Sequence, residues 1–182
     1  GKGHGTDRGL VAGLLGMRPD DERIPDSFEI ARKMGLSYSF GIANLTSAHP
    51  NSVVLEVKGK SGRTLEVQAC SLGGGRIMIN RLDGLDVNCS CEIPTLIVHN
   101  LDQPGHVAEV TSMLAHKSVN IANMSLYRDK RGGSAVMVVE MDQPLPKESL
   151  EWLEHLEGIV KVTYINVTAV LYTSDAADEG LG

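Results

Sequence analysis

The sequence predicts an α/β fold of the α+β kind, in which an irregular α/β domain precedes a ferredoxin-like βαββαβ unit. In the second half, four strand-like runs are separated by two runs whose apolar residues recur three or four positions apart, in the order of that unit. In the first half, helix-like runs come first and strand-like runs follow, with no internal repeat. We therefore predict domains at residues 1–90 and 95–168, with residues 88–94 as the linker.

The first half is the less regular one. RGLVAGLLGM (8–17) predicts a short helix, and ERIPDSFEIARKMG (22–35) predicts a second, with Pro25 in its first turn and Gly35 just after its end. Strand-like runs follow at 36–43, 52–59 and 63–70, and another follows the three glycines 73–75. The run Gly-Lys-Ser-Gly at 59–62 predicts a hairpin turn.

The second half begins with TLIVHN (95–100), a short apolar run typical of a buried strand. Residues 107–118 place Val107, Val110 and Leu114 on one helical face. The runs at 120–129 and 134–142 alternate as strands do, around a turn at 130–133. Pro146 opens a helix at 147–156, and a fourth strand at 160–167 completes the unit.

Composition excludes several classes of protein. The net charge is −6 and the pI is near 5.5, which argues against nucleic acid as a main partner, and no run approaches the 18 apolar residues of a membrane helix. Three cysteines form an odd set, which argues against a disulfide framework and predicts a reducing cytoplasm. Cys89 and Cys91 lack the two-residue gap of zinc and cluster motifs, so we expect ordinary thiols, with a two-thiol site as the alternative.

The two ends of the chain carry separate expectations. The sequence starts GKGHGTD without an initiator Met, and we expect that N-terminal sequence is missing. Residues 171–182, LYTSDAADEGLG, have no apolar periodicity, and 171–179 resemble a translated sequencing adapter. We therefore expect this tail to be non-native, the alternative being an acidic disordered tail.

Glycine-rich corners are the candidate ligand sites. HNLDQPG (99–105) lies between a strand and a helix, where free amides can face a small anion, and Gly3 to Asp7 precede the first helix in a similar way. Ser71 to Gly75 offer amides and a hydroxyl but lack the lysine of a P-loop. His99 and His106 flank the second-half corner, and we expect them to be solvated. No serine triad or paired carboxylates can be defended, so these features indicate a sensor and not a catalyst.

Several motifs together carry a resemblance to a known family. They are GHGTDRGLVAGLLG (3–16), DDERI (20–24), HPNS (49–52), SLGGGRI (71–77) and HNLDQPGHVAEV (99–110). With them the chain resembles the regulatory (beta) subunit of bacterial iron–sulfur L-serine dehydratase, in which an allosteric substrate-binding domain is followed by an ACT domain. It departs from the family pattern in lacking the upstream Ser-Ser-Ser-His-Thr motif.

The resemblance implies a complete enzyme that deaminates L-serine to pyruvate and ammonia with a 4Fe-4S cluster held by a partner, the catalytic alpha subunit. This chain would then be non-catalytic and would bind no metal. Serine or a related amino acid would bind in the first domain at His4, Gly5, Thr6, Asp7, Ser71, Gly73, Gly74 and Gly75. An effector would bind in the ACT corner at Asn100, Asp102, Gln103, Pro104 and Gly105, and the ACT domain would form a homodimer through its exposed sheet edges.

Two alternatives remain open at this point. The chain could be the C-terminal regulatory region of a D-3-phosphoglycerate dehydrogenase, which has a similar pair of domains behind a nicotinamide-binding part. It could also be a stand-alone ACT-type module that binds amino acids. An upstream dinucleotide fingerprint would favour the first alternative, and a neighbouring gene with cluster cysteines would favour the dehydratase.

Overall fold

The computed structural model describes residues 5–46 and 48–166, which fall into two compact units divided between residues 44 and 45. The first unit contains α1 (Thr6–Leu14), a 3₁₀ turn (Ile24–Asp26) and α2 (Ser27–Lys33). The helices are joined by the buried hydroxyl of Ser27, which donates a hydrogen bond of 3.1 Å to the Arg8 carbonyl oxygen. The two predicted helices are therefore present, with shorter bounds.

The segment after α2 differs from its prediction. As predicted, Gly35 lies just after the end of α2; its φ of 75° allows the Leu36 amide to donate to the Ala31 carbonyl oxygen. The predicted strand at 36–43 is wrong, because the described part of this unit contains no strand with which it could exchange hydrogen bonds. Its alternating apolar residues instead place Tyr38 and Phe40 against Phe28, with ring centroids 5.4 and 6.2 Å away.

The second unit begins with an antiparallel sheet. Its strands are β1 (Ser52–Lys58), β2 (Thr64–Gly73), β3 (Arg76–Leu82) and β4 (Leu85–Cys89), hydrogen-bonded in chain order. Strand β4 was not predicted and overlaps the predicted linker. Its signal was the dipeptide Asp83-Gly84, which forms a two-residue turn with φ of 45° and 81°, as hairpin turns of this kind require.

The remaining elements form the predicted βαββαβ unit. They are β5 (Thr95–Leu101), α3 (His106–His116), β6 (Ile121–Arg128), β7 (Ser134–Met141), α4 (Lys147–Glu154) and β8 (Ile159–Ile165). The four strands make a second antiparallel sheet in the order β6-β7-β5-β8. The fold class predicted from the sequence is confirmed.

Strand β5 lies between two cores. On one face of its sheet, Leu96 and Val98 pack with Leu114 of α3 and Leu153 of α4. On the other face, Ile97 packs with residues of the first sheet, among them Ile79, Leu82 and Cys89. A strand buried on both faces needs apolar residues at successive positions, which explains the uninterrupted apolar run at 96–98. No helix within the described ranges is long and apolar enough to cross a membrane.

Candidate functional site

The corner between β5 and α3 is the best-formed candidate site. Gly105 precedes α3 with φ of 102°, a conformation that favours glycine, and Pro104 has no amide hydrogen. The amides of Asp102 and Gln103 already donate within the fold, to the carbonyl oxygens of Gly133 (2.8 Å) and Leu101 (2.9 Å). The first-turn amides of α3 have no acceptor inside the helix and lie at its positive end. They are the donors that this corner can offer to an anion.

Asp102 joins this corner to the β6–β7 hairpin. Its carboxylate accepts hydrogen bonds from the Gly132 amide at 2.9 Å and from Arg128 Nη1 at 3.1 Å. The Gly132 amide, with the charges of Arg128 and Arg131, holds the pKa of Asp102 below its ordinary value. Asp102 is therefore ionised at neutral pH and fixes the hairpin beside the helix N-terminus.

Two buried side chains beside the corner have unsatisfied polar atoms. Asn100 is 6% exposed; its amide nitrogen donates to the Leu101 carbonyl oxygen at 2.7 Å, while its Oδ1 has no partner. His106, also 6% exposed, has Nδ1 3.0 Å from Glu109 Oε2, and its Nε2 has no partner. Buried polar atoms without partners are uncommon and mark places where a ligand could complete the hydrogen bonding.

The loop before β8 closes the corner from the other side. Gly158 accepts a hydrogen bond of 2.9 Å from the Leu101 amide, and it has φ of 82°. A Cβ atom at this position would lie 2.6 Å from two ring atoms of His106. Only glycine fits here without displacing the imidazole.

The sequence analysis placed both flanking histidines in solvent, and the structure buries both of them. His99 and His106 are 9% and 6% exposed. His106 was missed because its position in the first turn of α3 does not reveal the Gly158 backbone that covers it. The burial of His99 depends on the first sheet, whose Asp83 turn lies against that face of β5, and the local sequence does not reveal this contact. His106 is thus a corner residue that the motif analysis did not select.

A charged cluster of Asp83, His99 and Lys161 lies on the face of β5 that is turned away from α3. Lys161 of β8 donates to Asp83 Oδ2 at 2.6 Å and to the Thr64 carbonyl oxygen at 2.8 Å. His99 Nε2 is 3.2 Å from Asp83 Oδ2, close enough for attraction, but its alignment does not make a hydrogen bond. The turn of the β3–β4 hairpin is thus held against the second sheet.

These contacts shift two pKa values. Burial lowers the pKa of His99 and outweighs the opposing attraction of Asp83, while the Lys161 and Arg63 charges also lower it. Burial by itself would raise the pKa of Asp83, but hydrogen bonds from Lys161 and from the Glu66 amide hold it below its ordinary value. At neutral pH the cluster therefore contains a neutral imidazole beside an ion pair.

The cluster and the corner meet at a bulge in β8. His99 pairs with Lys161 and Asn100 with Ile159, so Val160 is an extra residue in β8. The Arg63 guanidinium donates to the Val162 carbonyl oxygen on the far side of this bulge. Neighbouring residues of β5 thus contact two different environments, with Asn100 at the corner and His99 at the charged cluster.

We expect stability to fall on acidification below pH 6.5. A histidine whose folded pKa is lowered contributes stability that is lost as pH falls from the unfolded value, about 6.5, toward the folded one. The contribution of Asp83 is lost only at lower pH, below about 3.8 and through its folded pKa. In the His99→Gln variant, the melting temperature should therefore fall less between pH 7 and pH 5 than it does in the wild type. Parallel decline of variant and wild type in that window would contradict this assignment.

The residues predicted to bind serine in the first domain lie in two different units of the structure. Gly5, with φ of 69°, precedes α1, which starts at Thr6 and carries Asp7 in its first turn; His4 lies outside the described residues. Gly74 and Gly75 form the two-residue turn of the β2–β3 hairpin, with Gly73 beside them and Ser71 near the end of β2. The predicted tail at 171–182 also lies outside the described residues.

No metal-ligand set is found in the described ranges. Within 5–46 and 48–166, no three histidine, cysteine or acidic side chains come together in a way that could hold a metal ion. All three cysteines are free, and all three are buried. These residues do not fit an iron–sulfur cluster.

Comparison with known proteins identifies the βαββαβ unit as an ACT domain. Residues 94–156 match the family model described as ACT domain, which covers the corner, both helices and three of the four strands. The chain is 35% identical over 167 residues to "L-serine dehydratase, beta chain" of Peptoniphilus asaccharolyticus, covering 91% of this chain and 75% of that protein. It is also 35% identical over 164 residues to "Probable L-serine dehydratase, beta chain" of Bacillus subtilis, covering 90% and 74%.

The chain belongs to the family of L-serine dehydratase beta chains. The family resemblance inferred from the sequence motifs is thereby confirmed. A D-3-phosphoglycerate dehydrogenase of Methanocaldococcus jannaschii is 31% identical over 90 residues, which is 50% of this chain and 17% of that protein. The beta chains are 35% identical and are matched over about three quarters of their own length, which favours their family over that of the dehydrogenase.

Proposed function

We propose that this chain is the regulatory subunit of an L-serine dehydratase and that its ACT corner binds L-serine or a related amino acid. The complete enzyme would deaminate L-serine to pyruvate and ammonia. Catalysis and the 4Fe-4S cluster would belong to a separate alpha subunit, and the complex would work in the cytoplasm. The observation that carries this proposal is the corner itself, where free helix amides lie beside an ionised aspartate and a buried, unsatisfied amide oxygen.

The corner has hydrogen-bond donors for the carboxylate of an amino acid and an acceptor for its ammonium group. A carboxylate is attracted to the first-turn amides of α3, because they are unpaired donors at the positive helix end. An ammonium group needs acceptors, and Asn100 Oδ1 is a buried acceptor without a donor. Asp102 is an ionised carboxylate nearby, held in place by Arg128 and the Gly132 amide. A zwitterion therefore matches the corner better than a simple anion does.

The signal would leave the corner through β5 and β8. A ligand that reorients Asn100 acts on the residue next to His99, and through the bulge at Val160 it acts on the strand that carries Lys161. Both partners of Asp83 would then respond to occupancy of the corner. Such a ligand can shift the population of two domain arrangements only by as much as its affinities for them differ.

The remaining parts of the proposal concern assembly and the first domain. We propose the domain bounds 1–90 and 95–168, with Gly5 to Asp7 in the first unit and the Ser71 to Gly75 turn in the second unit each able to contact serine. We also propose a homodimer formed through the ACT sheet. Strand β6 is the more open of its two edges, because Arg63 already occupies the Val162 carbonyl oxygen on β8.

We expect Asp102→Ala to weaken L-serine binding at least tenfold in isothermal titration calorimetry of the full-length chain. The substitution removes the charge and releases the hairpin that Gly132 and Arg128 hold in place. In the complete enzyme, the dependence of rate on serine should lose its regulatory component. Asp86→Ala is the matched control, since Asp86 is an exposed aspartate whose ion pair with Arg81 lies away from the corner. Unchanged affinity in Asp102→Ala would refute the corner as the site.

A further inference from the structure

Cys89 and Cys91 form a thiol pair that the proposed function does not use. Their sulfur atoms are 3.4 Å apart, and the two residues are only 1% and 4% exposed. Both belong to the core between the two sheets, where Ile97 and Val138 of the ACT sheet are among their neighbours. The third cysteine, Cys70, is on β2 and is also buried.

The backbone, and not chance proximity of two flexible side chains, brings these sulfur atoms together. Side chains two positions apart on a regular strand share a face but stand about 6.5–7 Å apart. Strand β4 ends at Cys89, and Cys91 adopts φ of 57°, a left-handed conformation that is uncommon for residues other than glycine. The turn so formed directs both thiols inward, while Glu92 and Ile93 next along the chain are exposed.

We propose that Cys89 and Cys91 are a redox-active dithiol that closes to an intramolecular disulfide when hydrogen peroxide is present. In the first step the Cys89 sulfur attacks one peroxide oxygen, the O–O bond breaks, and Cys89 becomes a sulfenic acid with release of water. In the second, the Cys91 sulfur displaces that hydroxyl, forming the S–S bond and releasing a second water. The two thiols lose two electrons and two protons in total, and the peroxide is reduced to two waters.

The order of the two steps follows from the unequal environments of the thiols. The hydrogen bond between the two thiols lowers the pKa of Cys89 in spite of its burial, so the thiolate is favoured at Cys89 over Cys91. The same hydrogen bond, together with burial, raises the pKa of Cys91. Since thiolates are the nucleophiles in this chemistry, Cys89 reacts first and Cys91 is the resolving thiol.

Burial selects a small oxidant and makes the reaction depend on local opening. Closing the bond requires the sulfur atoms to approach from 3.4 Å to about 2.05 Å, a movement that the chain next to Cys91 can supply because Glu92 and Ile93 are exposed. Cys70 has no thiol neighbour among the contacts described, so it has no resolving partner and serves as an internal control.

The test uses the full chain treated with hydrogen peroxide, then denatured, alkylated and digested with trypsin. Cleavage after Arg81 and Lys117 puts Cys89 and Cys91 on one peptide, and cleavage after Arg76 leaves Cys70 on another. We expect the first peptide to lose two hydrogens and to escape alkylation, reversibly with dithiothreitol, while the Cys70 peptide stays alkylated. Full alkylation of both, or oxidation to sulfinic acid without a cross-link, would overturn the proposal.

Two variants sharpen this result. Cys91→Ser should stop the reaction at a Cys89 sulfenic acid that dimedone traps, because the resolving thiol is absent. Cys70→Ser should form the disulfide as wild type does. Dimedone labelling of Cys70 in place of Cys89 would refute the assigned order, and the wild-type peptide map stands by itself if Cys91→Ser does not fold.

Discussion

Gly158→Ala is expected to destabilise the protein and to weaken L-serine binding at least tenfold. Gly158 has φ of 82°, where an L-residue costs roughly 1–2 kcal/mol. The added Cβ would also lie 2.6 Å from Cε1 and Nε2 of His106 and would force the imidazole from its buried place. Since His106 opens α3, its displacement moves the first-turn amides that we assign to the ligand carboxylate.

Gly62→Ala separates the cost of backbone strain from the effect of the contact with His106. Gly62 has φ of 84° in the β1–β2 hairpin, and a Cβ there would meet no atom within 4 Å. It should therefore show the backbone cost of roughly 1–2 kcal/mol and no loss of serine affinity. Chemical denaturation and calorimetry on both variants measure these quantities. Equal unfolding free energies and equal affinities for the two variants would contradict the assigned contact with His106.

Lys161→Met is the second substitution with a large expected effect. The Lys161 side chain is 13% exposed, and its ammonium group donates to both the Asp83 carboxylate and the Thr64 carbonyl oxygen. Removing it leaves a partly buried carboxylate without its main partner and an acceptor without a donor. We expect a loss of about 1–3 kcal/mol, less than for a fully buried pair because Asp83 remains 30% exposed.

A double-mutant cycle with Asp83→Asn tests the pairing. If the two residues act on each other, the double variant should be less destabilised than the sum of the single variants. Asp83→Asn keeps an oxygen that can accept from the Glu66 amide, so the hairpin turn is retained. Additive losses would indicate that the cluster does not join the two sheets. In that case the contact between Asp83 and Lys161 could not transmit a change from β5 and β8 to the first sheet.

The regular parts of the fold were predictable because their patterns are local. Periodic apolar residues predicted α3 and the strands of the ACT unit, and the run at 59–62 predicted the turn between β1 and β2. Alternation alone misled at 36–43, since a strand exists only where another offers its hydrogen-bonding groups. Strand β4 was overlooked because its Asp83-Gly84 turn lies close to a composition typical of a linker.

The position of the corner between β5 and α3 could be predicted from the sequence, but the arrangement of its side chains could not. The motif around Asp102 indicates a corner with free amides, but the sequence does not reveal that its own amide is already used by Gly133. Nor does it show that His99 and Asn100, adjacent in the chain, point into separate environments. Such facts depend on which distant segments cover each face, and those contacts are not encoded in local periodicity.

Chemical-shift mapping of the backbone amides during titration with L-serine tests the central claim most directly. The account predicts saturable shifts concentrated in the first turn of α3, at Gly105, His106 and Val107, with smaller shifts at Asn100 and at Gly132. Asp102→Ala should abolish them. Shifts confined to other parts of the chain, or none at concentrations that saturate the enzyme's response, would contradict the assignment of the ACT corner as the serine sensor.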